Sequence, residues 1–351
     1  MGARKEVLEV VSGWQAVELV LKCLLLGAWQ LVQMAVKRLW KGQRRKALKN
    51  SHVEVTVDSS IGRHCYIKIM GVKYHYIETG PQSGHKVLVL PDAPETADLW
   101  SPGWCAAVQQ LADTGHHVVT LELRGTGASE GGGRAALAPP RAVDELAALL
   151  SALGVSPHNP ATVIGFGIGG MLTWYLAHCH GALVRRLAVL GAPHPSLYWQ
   201  YPPAPFCDGL QHFIQWPVLP ERWLAEAGGP ACSRARDWAG ALHYVRGAAW
   251  WRVRAGALVR APALLVAGEG GAPELVCSAQ HCAAPTLRLL SGPGRRVRPD
   301  DPQLPRVLAD FLRPVESCPE KEPARAGLVG RMLSRGRELT ARLALPAHAQ
   351  A

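Results

Sequence analysis

The sequence predicts an α/β protein whose mostly parallel sheet is covered by helices on both faces. Three observations support this prediction. Two alternating runs in residues 64–80 predict a β-hairpin, and apolar strand-length runs then alternate with helical stretches. This alternation stops once, over residues 195–258. The 351 residues, of which 48% are hydrophobic, suffice for one large domain with a buried core.

The N-terminal segment contains an apolar run over residues 19–36, with Lys22 as its one charged residue. Its length is close to the roughly 20 residues that a membrane span needs. Residues 37–50 carry seven Lys and Arg and no acid, which predicts that the following domain faces the cytosol. We therefore expect residues 1–50 to be a membrane anchor with a basic juxtamembrane segment, in the endoplasmic reticulum. An amphipathic helix lying on the membrane or on the protein's own core is the alternative.

The hairpin turns at Met70-Gly71, and strands and helices alternate after it. Residues 195–258 are rich in Trp, Pro and Arg and predict an inserted segment outside the sheet. The predicted strands are residues 86–90, 117–121, 161–165, 186–190, 263–267 and 286–290, and the predicted helices lie near 100–113, 141–153, 169–180, 273–282 and 303–313.

The formal net charge of +11 lies mainly on two end segments, residues 37–50 and residues 325–351. The globular body between them is close to neutral, which favours a membrane surface as the partner and argues against nucleic acid. The nine cysteines form no C-x-x-C pair, which favours a reducing compartment. No metal-ligand spacing is present among the 14 histidines, so we expect neither a metal nor a cofactor.

The stretch "ATVIGFGIGG" (161–170) fits two glycine motifs. Gly165, Gly167 and Gly170 fit the dinucleotide loop, whereas Gly165, Gly167 and Gly169 fit a strand-to-helix turn that presents a nucleophile at its middle position. The dinucleotide loop needs an acid about 20 residues further on, and residues 171–207 contain no Asp or Glu. The nucleophile turn is therefore favoured, with glycine at the reactive position, and we expect Gly167 to have the positive φ of such an elbow.

Several motifs occur in register along the chain: "LPDAPETADLWSPGW" (90–104), "HHVVTLELRGTGAS" (116–129), "VIGFGIGGMLTWYLA" (163–177), "LAVLGAPHPSLY" (187–198) and "QWPVLPERWL" (215–224). These motifs resemble the membrane-anchored epoxide hydrolases of types three and four. The resemblance covers about residues 60–314 and implies the α/β-hydrolase fold, with a mostly parallel eight-stranded sheet and an inserted helical cap. Its boundaries would be a core of residues 51–194 plus 259–314, a cap of residues 195–258, and a tail of residues 315–351 with a possible basic amphipathic helix.

The resemblance implies a mechanism whose residues this chain lacks. In the family an elbow aspartate attacks the epoxide, two cap tyrosines donate to its oxygen, and a histidine oriented by an acid activates water. Each of these positions holds another residue here: Gly167 for the nucleophile, Arg295 for the base, Gly271 for the acid, Trp251 and Phe213 for the tyrosines, and Pro91 and Asp92 for the H-G oxyanion segment.

These departures predict that no catalytic residue is intact. Arginine is permanently protonated, proline has no N–H, and an aspartate would repel a developing anion. Other residues have the chemistry to replace the missing groups: Glu269 and Glu274 for the acid, Tyr201 and Tyr244 for the tyrosines, and Ser129, Cys105 and His194 for the nucleophile. We interpret Ser129 and His194 as structural. Glu95, with Trp100 or Trp104, is expected to retain the loop over the pocket.

The sequence therefore predicts a catalytically inactive, membrane-anchored relative of the epoxide hydrolases. It would bind an apolar ligand under the cap, several of whose residues are tryptophans, or a protein partner. The alternative is an active epoxide or ester hydrolase whose nucleophile has moved to another position. Dinucleotide binding is a third and weaker hypothesis.

Overall fold

The computed structural model describes residues 7–40, 62–93, 102–201, 210–227, 234–292, 294 and 297–313. Its strands and helices alternate as the sequence predicts. The strands are β1 (Leu8–Val10), β2 (Arg63–Ile69), β3 (Val72–Thr79), β4 (His85–Leu90), β5 (His116–Leu121), β6 (Ala161–Phe166), β7 (Val184–Leu190), β8 (Trp251–Val253), β9 (Ala263–Gly268) and β10 (Pro285–Leu290). The helices are α1 (Gly13–Trp40), α2 (Pro102–Asp113), α3 (Pro139–Ala152), α4 (Gly167–Cys179), α5 (Leu219–Ala227), α6 (Ala235–Ala248), α7 (Ala272–Ala279) and α8 (Leu304–Leu312).

Eight strands form the central sheet in the order β10-β9-β7-β6-β4-β5-β3-β2. The strands from β10 to β5 are parallel, and β3 and β2 add antiparallel to one edge. Every residue of β6 and β9 is buried, because helices cover both faces and leave no solvent-facing side for polar alternation. The predicted eight-stranded, mostly parallel sheet is confirmed.

The hairpin β2–β3 turns where the sequence predicts. Met70 has a φ of +50° and Gly71 a φ of +89°. A two-residue turn with both residues at positive φ matches the right-handed twist of the strands it joins. The register runs from Ile69 opposite Val72 to Arg63 opposite Glu78, so the hairpin is paired over its whole length.

The residues between β7 and β9 leave the sheet, as predicted. We call residues 195–258 the insert. Among its described residues are short 3-10 turns, the helices α5 and α6, and strand β8, which pairs antiparallel with β1 in a separate two-stranded sheet. The predicted domain boundaries and the role of the insert as a cap stay predictions.

Helix α1 is 28 residues long and contains the apolar run. Residues 13–37 are long and apolar enough to cross a membrane, with a mean hydropathy of 1.7 in the most apolar window. Backbone contacts divide the chain into residues 1–311 and residues 312–351. The structure describes only Leu312 and Arg313 of the second unit, so the predicted amphipathic helix of the tail lies outside the described residues.

Candidate functional site

The centre of the candidate site is the junction between β6 and α4. Strand β6 ends at Phe166 and helix α4 begins at Gly167 with no intervening loop. Gly167 has a φ of +47°, in the left-handed region that glycine enters without steric cost. The predicted positive-φ elbow at Gly167 is therefore confirmed. A Cβ at Gly169 would lie 2.2 Å from the Leu90 carbonyl oxygen, so glycine is needed there for the close approach of β4.

The carboxylate of Asp92 occupies the place next to Gly167. A Cβ built on Gly167 would lie 2.2 Å from the Asp92 carboxyl carbon and 2.2 and 2.3 Å from its two oxygens. Asp92 follows β4, which is the sheet neighbour of β6, and its side chain is 9% exposed. The space in which an elbow side chain would begin is therefore already filled by a carboxylate from the adjacent strand end.

Two backbone donors hold this carboxylate. Asp92 Oδ1 accepts hydrogen bonds from the N–H groups of Ala93 and Ile168, both at 2.9 Å. Ile168 lies in the first turn of α4, where unpaired N–H groups and the helix dipole favour an anion. The same segment is fixed a second time, because Gly169 N donates to the Pro91 carbonyl at 3.1 Å.

These two donors have a known role in an elbow of this type. The N–H of the residue after the nucleophile and an N–H from the loop after the neighbouring strand form its oxyanion hole. An oxyanion hole works because its donors are aimed at the developing charge before the reaction begins. Here both donors are directed at one oxygen of the chain's own carboxylate. The sequence predicts that Asp92 repels an anion, whereas in the structure the Asp92 carboxylate itself takes the anion's place.

The position of the orienting acid shows a similar arrangement. Gly271 precedes α7, and a Cβ built there would lie 2.8 Å from Glu274 Oε1. Glu274 is buried, whereas Glu269 is exposed. Of the two substitutes considered, Glu274 is therefore the one whose carboxylate lies beside the acid position. No local pattern marks the approach of Asp92 to Gly167, because the two residues are 75 positions apart in the sequence.

The base position, Arg295, lies outside the described residues, as do Glu95 and Trp100. Three histidines in the described part form a cluster in which His194 is buried and His178 and His281 are half-buried. His178 Nε2 lies 2.9 Å from His194 Nε2, and the ring of His194 stacks on that of His281 at 3.7 Å between centroids. Burial, reinforced by the neighbouring His281, lowers the pKa of His178 to about 4, and burial lowers the pKa values of His194 and His281 as well. These rings are therefore neutral at physiological pH.

The tyrosine positions hold side chains with structural contacts. Phe213 is fully buried against Trp216, and Trp251 lies in β8, where its carbonyl accepts from the Tyr175 hydroxyl at 3.0 Å. Tyr244, one considered substitute, is buried, and burial raises its pKa far above the usual value. A phenol with so high a pKa is a poor proton donor. The other, Tyr201, is half-buried at the edge of the described insert.

The substitute nucleophiles are equally occupied. Ser129 Oγ donates to the Glu122 carbonyl at 2.8 Å and accepts from the His75 N–H at 2.9 Å, which fixes the turn after β5. His194 accepts from the Ser196 N–H at 3.2 Å, immediately before the insert. Both contacts support the structural interpretation. Cys105 lies half-buried in α2, and Trp104 beside it is buried edge-on against Phe166.

One further cavity lies between α1 and the insert. Its volume is about 330 Å³, at the lower end of the range typical of small-molecule sites. Leu19 and Cys23 of α1 line one side, and Trp216 and Trp250 of the insert line the other. Arg134 lies at this cavity with its guanidinium 5.4 Å from the centre of the Trp250 ring. The walls are mainly apolar, with one cation.

Comparison with known proteins gives the family context. The α/β-hydrolase fold family matches residues 87–211. Epoxide hydrolase 4 of Mus musculus is 29% identical over 206 residues, which cover 53% of this chain and 53% of that protein. Epoxide hydrolase 3 of Xenopus tropicalis is 29% identical over 181 residues, covering 48% of this chain and 45% of that protein. The chain thus matches these curated relatives over about half of their length.

Solved structures agree on the fold. Epoxide hydrolase A from Mycobacterium thermoresistibile superposes with a TM-score of 0.57 at 21% identity, over 72% of this chain and 98% of that one. Epoxide hydrolase VrEH1 from Vigna radiata gives a TM-score of 0.53 at 18% identity, over 72% and 96%. At these identities the likeness establishes the architecture and leaves the chemistry to the residues of this chain. The chain therefore has the α/β-hydrolase fold and is similar in sequence to epoxide hydrolases 3 and 4.

Proposed function

We propose that this protein is a membrane-associated pseudoenzyme, which retains the hydrolase architecture and acts by binding. The observation that carries the proposal is the Asp92 carboxylate, which accepts from both backbone donors of the elbow. Gly167 supplies no nucleophile, and a substrate oxygen could reach those donors only by displacing a buried carboxylate. Loss of a nucleophile or base alone typically costs a hydrolase about a millionfold in rate.

A second candidate function keeps the chemistry and moves the nucleophile. It is favoured by the same geometry, because the carboxylate of Asp92 lies where an elbow side chain would begin. Its Oδ2 would attack an epoxide carbon, the ring C–O bond would break, and the released alkoxide would take a proton from water. Hydrolysis of the resulting ester needs a base, and Arg295 cannot accept a proton. This candidate therefore predicts one covalent event and no turnover.

One experiment separates the two. The purified full chain is incubated with a panel of epoxides and esters, and both diol formation and intact protein mass are measured. We expect neither product above background nor an adduct. A stoichiometric adduct that disappears in Asp92→Asn, which keeps an oxygen for the two N–H donors, would establish the second candidate. Sustained turnover in the unmodified protein would contradict both and would support the predicted alternative, an active epoxide or ester hydrolase with a relocated nucleophile.

A restored enzyme provides the positive control. The variant Gly167→Asp, Arg295→His, Asp92→Gly returns the nucleophile and base and vacates the backbone donors. Any hydrolysis that it gains over the unmodified chain measures how much of the remaining architecture is still competent. The double variant without Asp92→Gly is its matched control, and we expect it to stay inactive because two carboxylates would compete for the same donors.

We propose an apolar ligand for the cavity between α1 and the insert, in place of the predicted site under the cap. Its mainly apolar lining and its volume of about 330 Å³ support this assignment. The probe is diphenylhexatriene, whose fluorescence rises in apolar surroundings. Val20→Trp, which fills the cavity, should weaken binding about tenfold, whereas Val17→Trp, on an exposed part of the same helix, should not. Equal binding by both variants would place the ligand elsewhere.

Membrane association, the cytosolic orientation and the endoplasmic reticulum are part of the proposal. They are supported by the apolar helix α1 and by the basic residues that follow it. The alternative binding role is recognition of a protein partner.

A further inference from the structure

Helix α1 is held to the folded body at its N-terminal end. Strand β1, which immediately precedes it, pairs antiparallel with β8 of the insert from Leu8 opposite Val253 to Val10 opposite Trp251. Val11 N also donates to the Trp250 carbonyl at 2.9 Å. The chain from residue 62 onward forms the central sheet of the same unit. The segments before and after α1 thus belong to one folded body.

A single membrane crossing by α1 is incompatible with this connectivity. It would place β1 on one side of the bilayer and the sheet on the other. Residues 41–61 could return the chain only through a second apolar span of about 20 residues. That stretch contains seven charged residues: Lys41, Arg44, Arg45, Lys46, Lys49, Glu54 and Asp58.

The side of α1 that faces the protein leads to the same conclusion. Leu19, Cys23 and Met34 are buried along one face. Trp216 Nε1 donates to the Cys23 carbonyl at 2.8 Å, and Phe213 N donates to Gln30 Oε1 at 2.9 Å. The contact from residue 19 to residue 34 follows the helix for about 22 Å.

A transmembrane α1 would therefore draw the neighbouring insert into the hydrocarbon region. The insert carries charges directly behind this contact. Arg246 donates to the Ile214 carbonyl at 2.7 Å and forms an ion pair with Glu221 at 2.6 Å. Charged groups at membrane depth are costly.

The opposite side of α1 is apolar and exposed. Its side chains recur at intervals of seven and four residues, which places them on one face of a helix. Leu25 is 71% exposed and Leu39 81%. Glu18 and Lys22, near this face, pair with each other at 2.5 Å. The exposed residues of this face, which we call the outer face, are Trp14, Leu21, Leu25, Val32 and Leu39.

We propose that α1 is an in-plane membrane helix: it inserts its outer face among the lipids of one leaflet and does not cross the bilayer. Its apolar face, its tryptophans and the adjacent basic segment match what holds a helix in the interface of an anionic membrane. The inference rests on the membrane association proposed above and replaces the predicted spanning anchor. The protein then remains on one side of the membrane, with its insert held at the lipid surface.

The test locates both ends of the full chain. The chain carries a different epitope tag at each terminus and is translated with sealed microsomal vesicles, which are washed in high salt and treated with protease. We expect the protein to sediment with the vesicles and both tags to be digested. Protection of one tag would show a crossing and overturn the in-plane arrangement. Recovery of the protein in the supernatant would instead contradict membrane association itself.

A second measurement tests the outer face directly. Leu25→Glu together with Val32→Glu should reduce binding to vesicles of phosphatidylcholine and phosphatidylserine roughly tenfold, because two charges enter the inserted face. Gln33→Glu, an exposed residue at the flank, adds a charge outside it and serves as the control. Melting curves of all variants establish that they are folded. Unchanged vesicle binding in the folded double variant would contradict insertion of this face.

Discussion

At the residue scale, Gly167 and Asp92 hold the two residue types of the family's site in swapped positions. The family that the sequence resembles has an aspartate at the elbow and a glycine after the strand beside it, and this chain has the reverse. The Asp92 carboxylate reaches nearly the same place from the end of β4, where it accepts hydrogen bonds from the N–H groups of Ala93 and Ile168. The elbow conformation thus persists without a nucleophile because another residue supplies the anion that its donors need.

We expect Gly167→Ser to destabilise the protein without creating esterase activity. A non-glycine residue at a φ of +47° costs about 1–3 kcal/mol, and its Cβ would displace the Asp92 carboxylate. Adding Asp92→Gly removes the collision. The double variant should therefore lose less stability than the two single variants lose in total, by about 1 kcal/mol or more. Melting curves of the four forms give this coupling. Strictly additive costs would mean that the serine fits without moving Asp92.

The site was predictable only in part. The glycines flanking position 167 were enough to predict its positive φ, because few other patterns follow a buried strand and begin a helix. The role of Asp92 was not predictable, since its hydrogen bond to Ile168 joins residues 76 positions apart. Glu274 beside Gly271 depends on the turn between β9 and α7 in the same way. Local motifs indicate which residue is missing, whereas a replacement from elsewhere needs the fold.

At the element scale, the unexpected feature is how α1 is attached. The strands and helices of the core follow from apolar periodicity and agree with the structure to within a few residues. Strand β1 has only three residues and pairs with β8, more than 240 residues away in the chain, so no local pattern could reveal it. The buried side of α1 was equally hidden, because apolar residues occur on all sides of the helix between residues 19 and 36 and give little contrast between its faces.

Gly27 allows α1 to approach the insert, so Gly27→Leu should disrupt this contact. A Cβ there would lie 2.5 Å from Trp216 Nε1, whose hydrogen bond to the Cys23 carbonyl would then be lost. Leucine has a higher helix propensity than glycine. A loss of about 1–3 kcal/mol in stability would therefore come from the disrupted packing. Ala28→Leu, on the exposed side, is the control and should change stability by less than about 0.5 kcal/mol. Similar melting temperatures for both variants would argue against the α1–insert contact.

At the scale of the whole molecule, three neutral histidines join elements around the insert. His178 lies in the last turn of α4, His194 precedes the insert and His281 follows α7, and the His194 ring contacts both of the others. Because all three are desolvated, the folded protein resists their protonation whereas the unfolded chain does not. Stability is therefore linked to pH through this cluster.

We expect the protein to lose stability as the pH falls from 7 to 5. The folded pKa of His178 is about 4 and its unfolded value about 6.5, so the unfolded state binds the proton first. The stabilisation is complete above about pH 6.5 and declines below it, by about 2 kcal/mol at pH 5 for this residue alone. His178→Gln should flatten the profile, whereas His158→Gln, on an exposed loop, should leave it unchanged. An unchanged dependence of stability on pH in His178→Gln would show that other groups cause it.

The arrangement of Asp92 and Gly167 also affects the order in which the two positions could change, because reversing either one alone is unfavourable. Restoring an aspartate at position 167 first would force two carboxylates onto one pair of backbone donors. Restoring glycine at position 92 first would leave the first turn of α4 without its anion and still without a nucleophile. Each single reversal is therefore penalised before any catalytic benefit can appear. On the proposed loss of catalysis, stepwise selection would therefore not restore epoxide hydrolysis, because neither single reversal supplies an active site.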